Sequence, residues 1–259
     1  MCATCGCSGD TILVDLAHDH DHDHDHGHDH GHDHGHEHTH QAPETRTVTL
    51  EQAVLARNDK LAERNREWLA QHSILAVNLM SSPGAGKTTL LERTIRELGV
   101  QVPVSVIEGD QETVLDADRI RATGAPAVQI NTGSGCHLDA QMLAGGLKTL
   151  DPPDSSVVLI ENVGNLVCPA LFDLGEQARV VITSVTEGAE KPRKYPQMFR
   201  AADLVLLNKI DLLPYVNFDV AYFLDGARRA NPGVEVLHLS ATTGDGIADW
   251  YGWLRAHLP

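Results

Sequence analysis

Hydrophobic residues between positions 74 and 258 form short unbroken runs of Val, Ile and Leu that alternate with longer amphipathic segments. Such runs are typical of strands buried on both faces. The predicted strands are Ile74–Met80, Val104–Ile107, Ala127–Ile130, Val157–Ile160, Val180–Thr183, Leu204–Leu207 and Val234–Leu239. The predicted helices are Lys87–Leu98, Thr113–Ala122, Leu138–Leu150, Asp219–Ala230 and Ile247–Leu258. Helices between such strands indicate parallel βαβ crossovers, and therefore an α/β fold with a mostly parallel sheet flanked by helices.

A helix-forming stretch precedes the first strand and predicts where this domain begins. Apolar residues recur from Leu50 to Leu69, and Thr49 is a candidate N-cap with Gln52 three residues later. We therefore predict one α/β domain over residues 49–259.

The chain before this domain has a different composition. His alternates with Asp or Gly from His18 to His40, a stretch that contains 12 of the 16 histidines. Residues 10–40 also carry nine acidic residues and no Lys or Arg. With no apolar residue between Ala17 and Ala42 to bury, residues 10–48 are predicted to be disordered when free of metal. Imidazole binds nickel, copper and zinc, so the tract predicts metal binding without naming the metal.

Overall charge and hydropathy narrow the possible partners. The chain has 259 residues and a formal net charge of −16, which argues against nucleic acid as a partner because phosphate binding needs a basic face. It has no apolar run of about 18 residues and no secretory leader, so neither a membrane span nor export is expected. The five cysteines fit metal binding in a reducing cytoplasm better than disulfides.

The segment after the first predicted strand resembles a phosphate-binding P-loop. Ser81-Ser82-Pro83-Gly84-Ala85-Gly86-Lys87-Thr88-Thr89 follows the pattern G-x-x-x-x-G-K-[ST], with Ser in place of the first Gly. Gly84 and Gly86 allow the backbone to turn its N–H groups toward a phosphate, beside the positive end of the following helix. Lys87 is expected to reach the β- and γ-phosphates, and Thr88 to bind Mg²⁺.

Two later loops predict that the nucleotide is GTP. Asn208-Lys209-Ile210-Asp211 matches the N-K-x-D motif, whose Asp accepts from guanine N1–H and the exocyclic amine. Asn208 would reach the base or tie loops together, and the Lys209 stem would cover the ring. Ser240-Ala241-Thr242-Thr243-Gly244 follows the last strand and resembles the S-A-x-x-G loop, whose Ala N–H contacts guanine O6.

Two further strand ends carry acidic residues that are candidates for catalysis. Asp110, in Glu108-Gly109-Asp110, would hold a Mg²⁺-bound water or position the attacking water. Glu161-Asn162-Val163-Gly164 resembles the D-x-x-G motif, in which the Gly N–H contacts the γ-phosphate. We therefore assign Lys87, Asp110 and Glu161 as catalytic candidates. A solvated carboxylate or a helix cap is the alternative interpretation of each acidic residue.

Cysteine and histidine occur in two more candidate metal sites. Cys2, Cys5 and Cys7 at the start of the chain, residues 1–9, could wrap one ion, with square-planar Ni²⁺ and tetrahedral Zn²⁺ both compatible. Cys136-His137 and Cys168 follow two different strands, and both are expected at the carboxyl edge of the sheet, where ligands bind. Three ligands leave the coordination open, so a two-fold dimer could complete it.

Taken together, these motifs resemble the HypB family of hydrogenase-maturation GTPases. The resemblance covers nearly the whole chain, and the pairing of Cys136-His137 with Cys168 is its specific part. It implies a cytoplasmic GTPase that forms a GTP-dependent homodimer. It also implies nickel delivery to the large subunit of [NiFe]-hydrogenase, together with a zinc-binding accessory protein of the HypA type. By position, Cys2, Cys5 and Cys7 would form a tight nickel site, whereas Cys136, His137 and Cys168 would form a nickel or zinc site at the dimer interface.

Two alternative functions remain open from the sequence. A urease-type nickel GTPase shares the nucleotide motifs, although the terminal cysteine motif argues against it. A metal-storage protein with a vestigial nucleotide domain would keep the histidine tract but would not turn over nucleotide.

Overall fold

Seven parallel strands form one sheet in the computed structural model, which describes residues 43–110, 115–133 and 135–259. The strands are β1 Leu75–Ser81, β2 Val104–Asp110, β3 Ala127–Asn131, β4 Val157–Glu161, β5 Ala178–Ser184, β6 Leu204–Asn208 and β7 Glu235–His238. Their order across the sheet is β3-β2-β4-β1-β5-β6-β7. The parallel α/β fold and all seven predicted strands are confirmed, with shifts only at the strand ends.

Eight helices accompany the strands in the described part of the chain. They are α1 Pro43–Gln71, α2 Lys87–Leu98, α3 Leu115–Arg121, α4 Ala140–Leu150, α5 Lys191–Lys194, α6 Pro196–Arg200, α7 Val220–Ala230 and α8 Ile247–Ala256. The short helices α5 and α6 were not predicted, because prolines interrupt the apolar spacing of this segment. None of the described helices is long and apolar enough to cross a bilayer.

Some predicted helix boundaries were wrong. Helix α1 begins at Pro43, so Thr49 lies inside this helix and does not cap it. Asp139 and Asp219, which were predicted as the second and the first residue of their helices, are the N-caps of α4 and α7. Each Asp carboxylate accepts a hydrogen bond from the backbone N–H three residues later, which satisfies a group that the helix itself leaves unpaired.

The hydrophobic core lies on both faces of the sheet, as the unbroken apolar runs predict. Every residue of β1 is buried, while the edge strands β3 and β7 are only partly buried. On one face, Trp250 of α8 is fully buried, and its indole N–H donates to Thr94 of α2 at 3.0 Å. This contact holds α2, the helix that follows the P-loop, against α8.

The parallel topology brings the candidate residues to one edge of the sheet. The P-loop follows β1, Glu108 and Asp110 end β2, and Glu161 ends β4. The Cys136 loop follows β3, and Asn208 ends β6. All of these segments lie at the carboxyl ends of their strands, where α/β proteins bind ligands.

Several predicted features lie outside the described residues. They are the terminal Cys2, Cys5 and Cys7 motif and the histidine tract up to residue 42. Helix α1 covers residues 43–48, which were assigned to the tract.

Candidate nucleotide and metal site

The P-loop is shaped by two glycines with left-handed backbone conformations. Gly84 has φ 78° and Gly86 has φ 97°, values that side chains other than glycine rarely adopt. A Cβ on Gly86 would lie 2.6 Å from Nδ2 of Asn208, so the loop also needs glycine for close approach. Helix α2 begins at the next residue, Lys87, and its N-terminal partial charge is directed at the turn.

Lys87 lies buried beneath this turn. Its ammonium group donates to the Ser81 hydroxyl at 2.8 Å. Ser81 occupies the position at which the strict motif has Gly, so the replacement of Gly by Ser gives Lys87 a hydrogen-bond partner. Burial lowers the pKa of Lys87, although the nearby Glu161 carboxylate opposes this effect. A phosphate bound at this position would supply a negative charge that stabilises the charged form of the buried Lys87 ammonium group.

Two buried carboxylates face the P-loop. The Thr88 hydroxyl donates to Oε1 of Glu161 at 2.9 Å, while Oε2 of Glu161 and Oε2 of Glu108 are buried without hydrogen-bond partners. Burial raises the pKa of Glu161 to about 7, against the opposing effect of Lys87. Burial and the charge of Glu161 raise the pKa of Glu108 to about 8. A hydroxyl and unpaired carboxylate oxygens are ligands that Mg²⁺ prefers, so these residues fit such an ion.

These groups line a cleft of about 490 Å³, within the range of small-molecule sites. The other predicted phosphate-side residues that line it are Gly84, Ala85, Gly86, Thr89, Asp110 and Gly164. Asp116 and Arg119 of α3 also line it, and sequence reasoning missed both. Arg119 pairs with Glu92 at 3.1 Å and lies 3.4 Å from the Thr89 hydroxyl. In the sequence, the only sign of these two cleft residues was the D-x-x-R spacing of Asp116 and Arg119 on one predicted helix.

Asn208 ties three loops together on the base side of the cleft. Its side-chain N–H donates to the Ala85 carbonyl at 2.9 Å, and its Oδ1 accepts from the Ala241 N–H at 3.0 Å. Of the two roles predicted for Asn208, the structure therefore shows loop tying. The Ala241 N–H thus donates to Asn208, and its predicted contact with guanine O6 stays a prediction.

The loop that follows β6 also contains a carboxylate oxygen that is available to accept a hydrogen bond. Lys209 donates to the Gly84 carbonyl at 2.7 Å, which brings its stem to the P-loop. Oδ1 of Asp211 is buried without a hydrogen-bond partner. Ser240 accepts from the Thr243 N–H at 3.0 Å and so shapes the last loop. An unpaired buried carboxylate oxygen suits the paired N–H donors of guanine.

Cys136, His137 and Cys168 come together in a single chain. The Cys136 thiol donates to Sγ of Cys168 at 2.9 Å, and Sγ of Cys136 lies 3.7 Å from Nδ1 of His137. One ligand atom from each residue lies within 4.8 Å of the others. Metal–sulfur bonds of about 2.3 Å can therefore reach one shared ion. Thiolate and imidazole ligands suit nickel and zinc and leave further coordination positions open.

The His137 ring is held in place by packing. His137 is buried and stacks on Phe172, with ring centroids 3.9 Å apart. Burial lowers the pKa of His137, although the Asp139 carboxylate opposes this effect. The neutral imidazole favoured here is the form that binds metal. Phe172 was not identified from the sequence, because its contact with His137 depends on the tertiary fold.

The candidate metal ligands and the predicted phosphate-side residues share chain segments. Cys168 lies four residues after Gly164, and a 3₁₀ turn, Cys168–Ala170, begins at the cysteine. Asn165 lies between them and donates to the Cys136 carbonyl at 3.4 Å. The loop after β4 therefore contacts both sites.

Comparison with known proteins agrees with this arrangement. Residues 75–238 match the family described as CobW/HypB/UreG, nucleotide-binding domain. The chain is also 57% identical over 212 residues to the hydrogenase maturation factor HypB of Escherichia coli K12, a match that covers 82% of this chain and 73% of that protein. The chain belongs to the HypB family of hydrogenase maturation factors. Its nucleotide-binding domain is therefore of the P-loop type, in a family that hydrolyses nucleotides.

Two solved HypB structures share the fold. HypB from Archaeoglobus fulgidus superposes with a TM-score of 0.74 at 44% identity, covering 79% of this chain and 100% of that chain. HypB from Helicobacter pylori, solved in complex with nickel, superposes with a TM-score of 0.72 at 37% identity. That match covers 77% of this chain and 94% of the Helicobacter chain.

Proposed function

We propose that this chain is a cytoplasmic GTPase metallochaperone that hydrolyses GTP to gate the insertion of nickel into the large subunit of [NiFe]-hydrogenase. The observation that carries the proposal is the contact of one chain segment, residues 161–168, with both the P-loop and the Cys136–His137 pair. The nickel complex of the Helicobacter relative and the maturation role of the Escherichia relative support the metal and the pathway.

The reaction is GTP + H₂O → GDP + phosphate. Water attacks the γ-phosphorus, and the bond from this phosphorus to the β–γ bridging oxygen breaks. Lys87 and the N-terminus of α2 would hold the phosphates and stabilise the negative charge that shifts toward the leaving GDP. Mg²⁺, when bound through Thr88 and Glu161, would neutralise charge on the β- and γ-phosphates.

Guanine selection would come from the loops at the ends of β6 and β7. The open carboxylate oxygen of Asp211 would accept from the base, while Asn208 and Lys209 hold this loop against the P-loop. Adenine presents a different pattern of donors at that edge, so GTP is favoured over ATP.

Nickel is the cargo in this proposal. Cys136, His137 and Cys168 would bind nickel or zinc with three ligands, and a second copy of the chain would complete the coordination in a GTP-dependent homodimer. The open coordination also permits exchange with an accessory protein of the HypA type. Cys2, Cys5 and Cys7 would form a separate nickel site, and the histidine tract would store further nickel.

The direct test measures GTP turnover together with GTP-dependent nickel transfer to the hydrogenase large-subunit precursor. The proposal predicts that Lys87→Ala abolishes both, while nickel binding by the terminal segment persists. Lys148→Ala, which changes an exposed lysine on α4, is the matched control and should behave as wild type. A storage protein with a vestigial nucleotide domain would bind nickel without turnover, and activation of urease alone would favour the urease-type alternative.

A further inference from the structure

Asn162 occupies a central position between the two sites. It follows Glu161, precedes Gly164 by two residues, and is 1% exposed. Its backbone N–H donates to the Leu79 carbonyl in β1 at 3.1 Å, so its main chain is fixed on the central strand. The side chain therefore lies beside the phosphate cleft without taking part in the chemistry assigned to that cleft.

The Asn162 side chain bonds directly to the metal-binding loop. Its Oδ1 accepts from the Leu138 N–H at 3.1 Å and from the Val163 N–H at 2.9 Å. Its Nδ2 donates to Oδ1 of Asn78 at 3.2 Å. Leu138 is the residue immediately after His137, so a shift of the Asn162 amide would move the backbone that carries one metal ligand.

A second contact ties the same residue to the cleft. The Leu138 side chain is fully buried and packs against Gly109, which lies between Glu108 and Asp110. A Cβ on Gly109 would fall 2.6 Å from Cγ of Leu138, so the two chain segments touch. Leu138 is therefore held both by the end of β2 and by the loop after β4, and both segments line the cleft.

We propose that Asn162 is a positioning residue that couples nucleotide occupancy to the geometry of the Cys136–His137–Cys168 site through its bond to the Leu138 N–H. This inference rests on the proposed function, because it requires both sites to bind their ligands. When the γ-phosphate draws Gly164 toward it, the adjacent Asn162 amide moves, and the Leu138 backbone moves with it.

A purely structural role makes a different prediction. The Asn78 amide also donates to Glu176 at 3.0 Å, away from both sites. Loss of Asn162 therefore also weakens a buried network of hydrogen bonds. A structural residue would lower stability and both ligand affinities but would leave their mutual dependence intact. The informative quantity is therefore the change in nucleotide affinity that nickel causes.

The test measures the Kd of a non-hydrolysable GTP analogue at constant Mg²⁺, with nickel either omitted or saturating. In the wild-type chain we expect nickel to change this Kd by about fivefold or more, a size typical of coupled sites. In Asn162→Ala the two values should agree within about twofold. Asn162→Asp keeps an oxygen that can accept from Leu138 and should retain most of the wild-type change.

Asn231→Ala is the matched control, because Asn231 uses its amide at a remote turn, donating to the Ala202 carbonyl at 2.9 Å. This variant should keep the wild-type change in Kd. A full change in Asn162→Ala would overturn the inference, as would loss of the change in Asn231→Ala.

A measurement on the wild-type chain keeps the inference testable should Asn162→Ala fail to fold. Hydrogen exchange at the Leu138 amide should differ between the GDP-bound and analogue-bound states, and identical protection would overturn the inference. If the wild-type chain turns over GTP and binds nickel while either test fails, only the role of Asn162 is wrong. If it does neither, the proposed function itself is wrong.

Discussion

The Thr88 hydroxyl donates a hydrogen bond of 2.9 Å to Glu161, and so joins the second residue of α2 to the last residue of β4. The segment that begins at Glu161 reaches Cys168 seven residues later. A change at Glu161 therefore acts on the same short length of chain that carries the candidate metal ligand Cys168.

Glu161→Gln tests the part that Glu161 plays at the phosphate end. Gln keeps an oxygen that accepts from Thr88 but removes the negative charge that would hold Mg²⁺. We expect GTP turnover to fall by about 100-fold or more, the scale on which a lost electrostatic contact affects catalysis. Steady-state phosphate release at several Mg²⁺ concentrations checks this, and turnover within a few-fold of wild type would remove Glu161 from the catalytic candidates.

Asp211→Asn tests the base-binding loop. An Asn side chain keeps one acceptor but presents an N–H where guanine also presents an N–H. We expect GTP affinity to fall by roughly 10- to 100-fold, the loss of about 1.5–3 kcal/mol for a hydrogen bond to a charged group. Xanthosine triphosphate, which has a carbonyl at that position, should gain affinity. Competition binding checks both effects, and Asp219→Asn at the α7 N-cap is the control.

Glu108→Gln tests the buried charge in the nucleotide-free protein. The pKa of Glu108 is raised from 4.5 to about 8, so between these values the folded state holds a proton that the unfolded chain has released. Raising the pH through this interval therefore lowers the free energy of unfolding. We expect Gln to stabilise the protein by roughly 1–3 kcal/mol at pH 8 and by less at pH 5. Denaturant unfolding at both pH values checks this, and an equal gain at both would contradict it.

Phe172→Leu tests whether stacking orients His137 for metal binding. Loss of the ring should let the imidazole turn and weaken nickel binding by about 10- to 100-fold, as for other residues that orient ligands. Thiolate-to-nickel charge-transfer absorption reports this affinity when Cys2, Cys5 and Cys7 are replaced by Ser, because Cys136 and Cys168 are then the only thiols. Phe218→Leu, at a ring that packs on Phe223, is the control.

The sequence predicted most of the fold because local signals and packing agree. Unbroken apolar runs marked all seven strands, and the glycines and Lys87 of the P-loop marked the start of α2 to the residue. Errors occurred where one residue can serve two local roles. Asp139 and Asp219 were predicted in the first turn of their helices, yet their carboxylates favour the capping position just before the helix.

The sequence predicted those parts of the candidate site that consist of residues with a recognisable spacing. The P-loop, the N-K-x-D loop and the Cys136-His137 pair all follow strands, so the parallel topology alone gathers them at one edge. Glu108 was noticed only as part of a motif, since its buried, unpaired carboxylate is visible only in the folded chain. Phe172 and Asn162 carry no motif, because their roles depend on contacts across the chain.

We expect the nucleotide and nickel sites to be thermodynamically linked. The most direct measurement is the affinity of the full chain for a non-hydrolysable GTP analogue, with and without nickel, in the wild type and in Cys168→Ser. We expect a nickel-dependent change in the wild type that disappears in Cys168→Ser, since that variant keeps the terminal motif and the histidine tract but loses the candidate ligand on the loop after β4. No change in the wild type, or the same change in both proteins, would contradict it.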